Sequence, residues 1–252
     1  MSADPSTSSA PSGHSAEVDG SAASPGAGHL GVPDPAAAMV PGARSAVRLL
    51  LRPVLRTWLR LRVEGLEHVP SEGAVIVAST HQSHADSVAL GVAIRRPMYF
   101  LGDRRLVGMP LLGPLLPKLG MVSLRRGEAD VDAMQAMRAL LQDQRGIAVY
   151  PEGSRSRDGR VHRLRSGVAR LAAETDAPVV PAAVAGIHAV WPIGTRPRLR
   201  GGRVTVRFGR AMAAPEDDPR SRRLFNDRLH HTLAALAGVE VADDFSPIGG
   251  GA

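Results

Sequence analysis

Six short apolar runs alternate with segments of helical spacing between residues 74 and 236, and this alternation fixes the fold class. The runs are "AVIVAS" (74–79), "MYFLG" (98–102), "MVSL" (121–124), "IAVY" (147–150), "VVPAAVAG" (179–186) and "RVTVRFG" (203–209). Their lengths suit buried strands and are too short for helices. Between them, residues 84–94, 110–120, 130–144 and 166–175 read as helices, and 222–236 closes the pattern with another. In the 130–144 segment Met134, Met137 and Leu141 share one face, and Gly146 supplies a stop. The pattern predicts one α/β sheet domain over about residues 45–240, without an internal repeat.

Hydrophobic residues make up 44% of the chain but aromatics only 3%, so the core must be built from Leu, Val, Ile and Ala. The absence of cysteine excludes disulfides and cysteine-based metal or nucleophile chemistry. Residues 1–40 are rich in Ser, Ala, Pro and Gly and lack both a basic start and an apolar stretch, which predicts a disordered tail and not a secretory signal. That tail holds four acids (Asp4, Glu17, Asp19, Asp34) and no Lys or Arg, leaving 31 basic against 20 acidic residues in the remainder. A basic body calls for an anionic partner: nucleic acid, a phosphate-bearing substrate or an anionic membrane. The scarcity of aromatic residues argues against base stacking, and so against nucleic acid.

In "RSAVRLLLRPVLRTWLRLRV" (44–63), Arg44, Arg48, Arg52, Arg56 and Arg60 recur every four residues. Beside them run the rows Leu50, Val54, Trp58 and Leu51, Leu55, Leu59. A basic amphipathic helix with a tryptophan suits the headgroup plane of a membrane. It suits equally an N-terminal helix packed on the domain with its arginines in water. Pro53 is expected to kink or divide it. No run of about 18 uncharged apolar residues occurs, so no bilayer span is expected.

Three strand ends carry the polar chemistry. After the 74–79 run comes "THQSHAD", with His81, His84 and Asp86. Histidine is the natural general base near neutral pH, and works best when a carboxylate holds its second ring nitrogen. A metal site is a poorer reading, since the third ligand would be Asp86 crowded on the same turn. A helix cap by Ser83 or Asp86 with incidental histidines also fits. After the 147–150 run comes "PEGSRS": Gly153 permits a tight turn, while Ser154, Arg155, Ser156 and Arg157 offer donors to phosphate. Arg125, Arg126 and Gly127 follow the 121–124 run. Three such loops favour one shared cleft at the strand termini.

Taken in order, these blocks resemble the 1-acyl-glycerol-3-phosphate acyltransferases and the wider glycerolipid acyltransferase family. "HQSHAD" carries a histidine and an aspartate separated by four residues, His81 and Asp86. "GMVSLRRG" matches a second block, with Gly120 and Arg126 in the family's positions. "VYPEGSRS" matches a third with only Thr changed to Ser, and "APVVPAAV" a fourth around Pro181. The resemblance covers roughly residues 60–210. Departures are Thr80 where Asn is usual, His84 where a bulky residue often stands, and Ser123 and Arg125 in the second block.

The resemblance implies a single mixed central sheet flanked by helices, with an N-terminal amphipathic helix. Together with the composition and periodicity above, the expected organisation is a disordered tail (1–40), a basic membrane-associating helix (41–63), an acyltransferase domain (64–240) and a flexible C-terminal tail (241–252). The implied reaction moves a fatty acyl group from acyl-CoA or acyl-carrier protein to a lipid hydroxyl, without an acyl-enzyme, metal or prosthetic group. The first acceptor to consider is 1-acyl-sn-glycerol-3-phosphate, giving phosphatidic acid; another is a lyso-ornithine lipid, a glycolipid or a different lysophospholipid. His81 would be the base and Asp86 its orienter. Arg126, Arg155, Ser154 and the Gly153 turn would hold the acceptor phosphate, with Glu152 keeping an arginine in place. Backbone N–H groups near the His81 turn would serve the oxyanion. A lipid acceptor and a cytoplasmic thioester imply a peripheral or monotopic enzyme on the inner face of the plasma membrane.

Overall fold

The structure is a computed structural model that describes residues 38–110, 113–124, 131–198 and 201–247. Residues 1–37 of the expected tail, Arg125, Arg126 and residues 248–252 lie outside the described residues. Seven strands form one sheet: β1 (Arg62–Glu64), β2 (Val75–Ser79), β3 (Met98–Asp103), β4 (Met121–Leu124), β5 (Gly146–Val149), β6 (Val179–Ala185) and β7 (Thr205–Phe208). Their order is β1-β7-β6-β2-β5-β3-β4, and every neighbouring pair is parallel except the antiparallel β6–β7. The sheet is therefore mixed, as the family resemblance implied.

The helices are α1 (Pro41–Trp58), α2 (Ala85–Ala93), α3 (Leu115–Lys118), α4 (Val131–Gln142), α5 (Gly167–Thr175), α6 (Ile187–Val190) and α7 (Pro219–Ala237). Two apolar layers sandwich the sheet. Along β2, Ile76 and Ala78 face one layer, with Met137 and Leu141 of α4, Leu171 of α5, and Leu229 and Leu233 of α7. Val75 and Val77 face the other, with Leu55 of α1, Ala89 and Leu90 of α2, and Ile187 of α6. Both faces of β2, β5 and β6 are thus buried, which is why those strands read as continuous apolar runs without a period of two. Edge strand β1 is exposed, three residues long and charged at both ends, properties that discourage further strand addition. Its Glu64 pairs in register with Arg207 of β7, at 3.0 Å.

Helix α1 is shorter than expected and is not divided at Pro53. The chain leaves it at Trp58 and enters β1 at Arg62. Two of its arginines have a structural task. Arg44 donates to the carbonyls of Ile94 (3.0 Å) and Arg95 (3.3 Å), and Arg48 to that of Val92 (3.1 Å). They satisfy the carbonyl end of α2, where cations are favoured by the helix dipole. Trp58 donates to the Arg198 carbonyl at 3.1 Å, so it anchors the helix to the domain. The apolar 110–120 stretch contributes only the single turn α3, punctuated by its prolines. Residues 241–247 correct the expected flexible tail: Ala242 N–H donates to Val161 (2.8 Å), Arg163 N–H to Asp244 (3.0 Å), and Ala242 and Ser246 are buried.

Candidate active site

Because β2 and β5 are adjacent and parallel, with Ala78 in register with Val149, their carboxyl ends release two loops side by side. This edge of a parallel sheet is where open α/β folds gather their functional groups. Loop 80–84 carries His81 and loop 150–156 carries the Pro-Glu-Gly turn. They are tied together: Ser156 N–H donates to the His81 carbonyl at 2.7 Å, and His81 N–H to Glu152 Oε1 at 3.1 Å. Strand β4 ends at the same edge, with β3 between it and β5; Arg126 lies outside the described residues.

His81 Nδ1 lies 3.1 Å from Asp86 Oδ2. Asp86, in the first turn of α2, is fully buried; its Oδ2 also accepts the N–H groups of Gln82 (2.6 Å) and Ser83 (2.8 Å). A carboxylate there requires the proton on Nδ1, leaving Nε2 as the lone-pair nitrogen. The His81 side chain is 18% exposed, enough to reach a ligand. Asp86 therefore ties the 82–83 turn and holds the His81 ring; it does not cap its own helix, whose N-cap is His84 without a side-chain cap hydrogen bond.

The aromatic ring of Tyr150 completes the setting. It stacks on the His81 ring with centroids 3.8 Å apart and planes 14° from parallel, and its hydroxyl lies 2.7 Å from Ser87 Oγ. Burial, with the nearby Asp86 carboxylate, raises the Tyr150 phenol, so it stays neutral and serves as a wall. Sequence reasoning missed it; the only signal was a lone aromatic at the end of a strand in an aromatic-poor chain. Tyr150→Phe keeps the stack and should change kcat/KM by no more than a few-fold. Tyr150→Leu frees the imidazole and should lower it about tenfold, consistent with the worth of an aromatic pair. Steady-state kinetics of the two variants, with circular dichroism for fold, checks this.

Glu152 departs from expectation. It is wholly buried and takes the N–H of His81 on Oε1 and that of His162 on Oε2, the latter at 3.0 Å. What it fixes is backbone on either side of the site. Burial pushes its carboxyl up to about 7, against the two N–H donors that favour the ionised form. Gly153 has φ +76°, and a Cβ there would lie 2.6 Å from Arg165 Nε, so the turn needs glycine on two counts. Arg155 Nη1 contacts His84 Nε2, and the His84 and Trp191 ring centroids lie 6.0 Å apart. Ser154 Oγ is buried without a hydrogen-bond partner among the described residues.

Most backbone N–H groups of the His81 turn are committed within the protein. The N–H groups of His81, Gln82, Ser83, Ala85 and Asp86 are all given to protein acceptors. Those five cannot stabilise a developing oxyanion without breaking the turn that positions the base.

A histidine at the strand ends, held by a buried carboxylate and joined to an arginine-bearing glycine turn, is an arrangement suited to group transfer. The family described as Acyltransferase matches residues 60–185, half of the chain, and the protein belongs to that family. It is similar to the chloroplastic 1-acyl-sn-glycerol-3-phosphate acyltransferase LPAT1 of Arabidopsis thaliana, 30% identical over 150 residues, covering 58% of this chain and 42% of the relative. A 1-acyl-sn-glycerol-3-phosphate acyltransferase of Limnanthes douglasii is 30% identical over 153 residues, covering 59% and 53%. The chain spans about half the length of these curated relatives. The crystal structure of the 1-acyl-sn-glycerophosphate acyltransferase PlsC from Thermotoga maritima shares the fold, with TM-score 0.65 and 23% identity over 77% of this chain and 79% of that one.

Proposed function

We propose that the protein transfers a fatty acyl group from acyl-CoA or acyl-carrier protein to the free hydroxyl of 1-acyl-sn-glycerol-3-phosphate, forming phosphatidic acid. The observation that carries the reading is the His81–Asp86 pair joined through two hydrogen bonds of the His81 backbone to the loop that bears the Gly153–Arg155 turn. The names of the relatives support the same acceptor.

In this reading His81 Nε2 takes the hydroxyl proton as the hydroxyl oxygen attacks the thioester carbonyl. Asp86 stabilises the imidazolium that forms. Collapse of the tetrahedral intermediate breaks the carbon–sulfur bond, and the thiolate leaves with the proton held by His81. Arg155, and Arg126 from the end of β4, would grip the acceptor phosphate as forked donors. No metal or prosthetic group takes part.

The acceptor is a lipid, so the site must meet a membrane surface. No helix among the described residues is long and apolar enough to cross one. Helix α1 offers exposed Leu49, Leu50 and Val54 together with exposed Arg52 and Arg56, a set suited to the boundary between headgroups and chains. With a cytoplasmic thioester as donor, the peripheral position is the inner face of the plasma membrane.

The test is transfer by purified protein from radiolabelled long-chain acyl-CoA to lysophosphatidic acid, lysophosphatidylglycerol or a lyso-aminolipid. Labelled phosphatidic acid is the expected product. Arg155→Ala should raise KM for lysophosphatidic acid at least tenfold with little change in kcat, the worth of a charge-assisted hydrogen bond. Transfer confined to an acceptor without a phosphomonoester would discard the proposed substrate while keeping the mechanism.

A further inference from the structure

A cavity of about 340 Å³ lies beside the Pro-Glu-Gly turn, among side chains that the acyl-transfer chemistry leaves unused. Its lining includes Arg163, Arg165 and Arg223, with Asp227 the one carboxylate among them, and Asn226 and Phe245. Phe245 of the C-terminal segment forms part of its wall. The Phe245 ring sits 5.4 Å from the Arg163 guanidinium carbon and 5.5 Å from that of Arg165. The cavity adjoins the active-site loop. Arg165 N–H donates to the Pro151 carbonyl at 2.8 Å, and Ser246 Oγ to the Arg155 carbonyl at 3.3 Å. The same loop holds His81 through Glu152 and Ser156.

Two lining residues each carry a polar atom buried without a hydrogen-bond partner among the described residues: Arg165 Nε, a donor, and Asn226 Oδ1, an acceptor. Buried polar atoms are ordinarily paired, so an unmet donor and an unmet acceptor in one lining describe what a ligand must bring. Three guanidiniums against one carboxylate call for an anion. Asn226 Oδ1 calls for an N–H or O–H on the same ligand, and Phe245 for a flat or apolar surface. Inorganic phosphate supplies only the first of these. A nucleoside phosphate supplies all three, and the cavity volume lies at the small end of the range for ligand pockets.

We propose that this cavity binds a phosphorylated nucleoside, and that its source is the nucleotide end of an acyl-CoA donor. The second clause rests on the acyltransferase reading; the first does not. The cavity would then prefer CoA thioesters over carrier-protein thioesters, because the carrier's phosphopantetheine has no nucleoside.

The probe is adenosine 3′,5′-bisphosphate, titrated calorimetrically into the full chain, with inorganic phosphate in parallel. Saturable bisphosphate binding is expected, at least tenfold tighter than phosphate. The double variant Arg163→Ala, Arg223→Ala removes two exposed guanidiniums and leaves the turn intact. It should weaken bisphosphate binding at least tenfold and raise KM for acyl-CoA about tenfold, with kcat and the acceptor KM unchanged. Phe245→Ala should weaken the bisphosphate and not phosphate. Equal binding of phosphate and bisphosphate, or affinity indifferent to both variants, would overturn the proposal. Bisphosphate binding that depends on Arg163 and Arg223, without acyl transfer from any acyl-CoA, would uphold the nucleotide site and reject its assignment to the donor. Acyl transfer from carrier-protein thioesters with no bisphosphate binding would overturn the site and leave the acyltransferase reading standing.

Discussion

His81→Ala should lower kcat about a thousandfold, the usual scale for losing a general base, while thermal stability stays close to wild type. The ring is partly exposed and stacks on Tyr150, so its removal opens little of the core. Asp86→Asn discriminates further. All three donors that reach Asp86, from His81, Gln82 and Ser83, converge on Oδ2, while Oδ1 has no partner among the described residues. An asparagine can put its oxygen in the Oδ2 position and its amide nitrogen in the empty one. The turn, the orientation and the tautomer of His81 then all survive, and only the charge that stabilises the imidazolium is lost. The expected drop in kcat is about a hundredfold, below that of His81→Ala, on the scale of a charged hydrogen bond in a dry site. Asp86→Ala removes the tie to the turn as well and should match His81→Ala in rate while also losing stability. Steady-state kinetics on the three variants, with thermal melts, decides the matter. If Asp86→Asn were as inactive as His81→Ala, the amide nitrogen would be facing the ring, and tautomer control would outweigh charge at this site.

The pairing of His81 with Asp86 was legible because it is local: five residues apart, at the end of an apolar run, opening a helix. Strand β4 and helix α4 were legible for the same reason, since an apolar run and a 3.6-residue period are written in neighbouring residues. What escaped depends on contacts between distant residues. Tyr150 stacks on a ring 69 positions earlier in the chain. Arg44 and Arg48 looked like part of one long basic stripe, but the carbonyls they cap belong to α2, some 50 and 44 residues on. Strand β1 has a single apolar residue between two charges, so neither alternation nor a run could announce it. The reversal of β7 relative to β6 has no local signature, because side-chain pattern reports which faces are covered and not which way the chain runs. For Glu152 the motif pointed to the right position and the wrong partner. Arg155 and Arg157 follow it in sequence, but its oxygens are taken by the N–H groups of His81 and His162.

That partnership makes Glu152 the residue whose loss should most damage the fold around the site. Glu152→Ala leaves two backbone N–H groups buried without acceptors, at about 1–3 kcal/mol each. The expected destabilisation is about 4 kcal/mol, or a fall in melting temperature of about 10 °C for a chain of this size, with activity lost alongside. Glu152→Gln keeps one acceptor and should fall between. The carboxyl also gives stability a pH dependence whose sign follows from its raised value. Below about 4.5 both the native and the unfolded carboxyl are protonated. Between about 4.5 and about 7 the native state keeps a proton that the unfolded state releases, so the stability associated with Glu152 declines as pH rises through that window. Above about 7 the native carboxyl is ionised too, and that contribution is gone. Denaturant unfolding of wild type and Glu152→Gln at a series of pH values reads this directly. The stability advantage of wild type over Glu152→Gln should shrink by at most about 3 kcal/mol between pH 4.5 and 7 and then level off. A difference that stayed flat across the window would mean that the two N–H donors outweigh burial and hold Glu152 ionised throughout. In that case the carboxylate would stand as a fixed negative charge one peptide unit from the base.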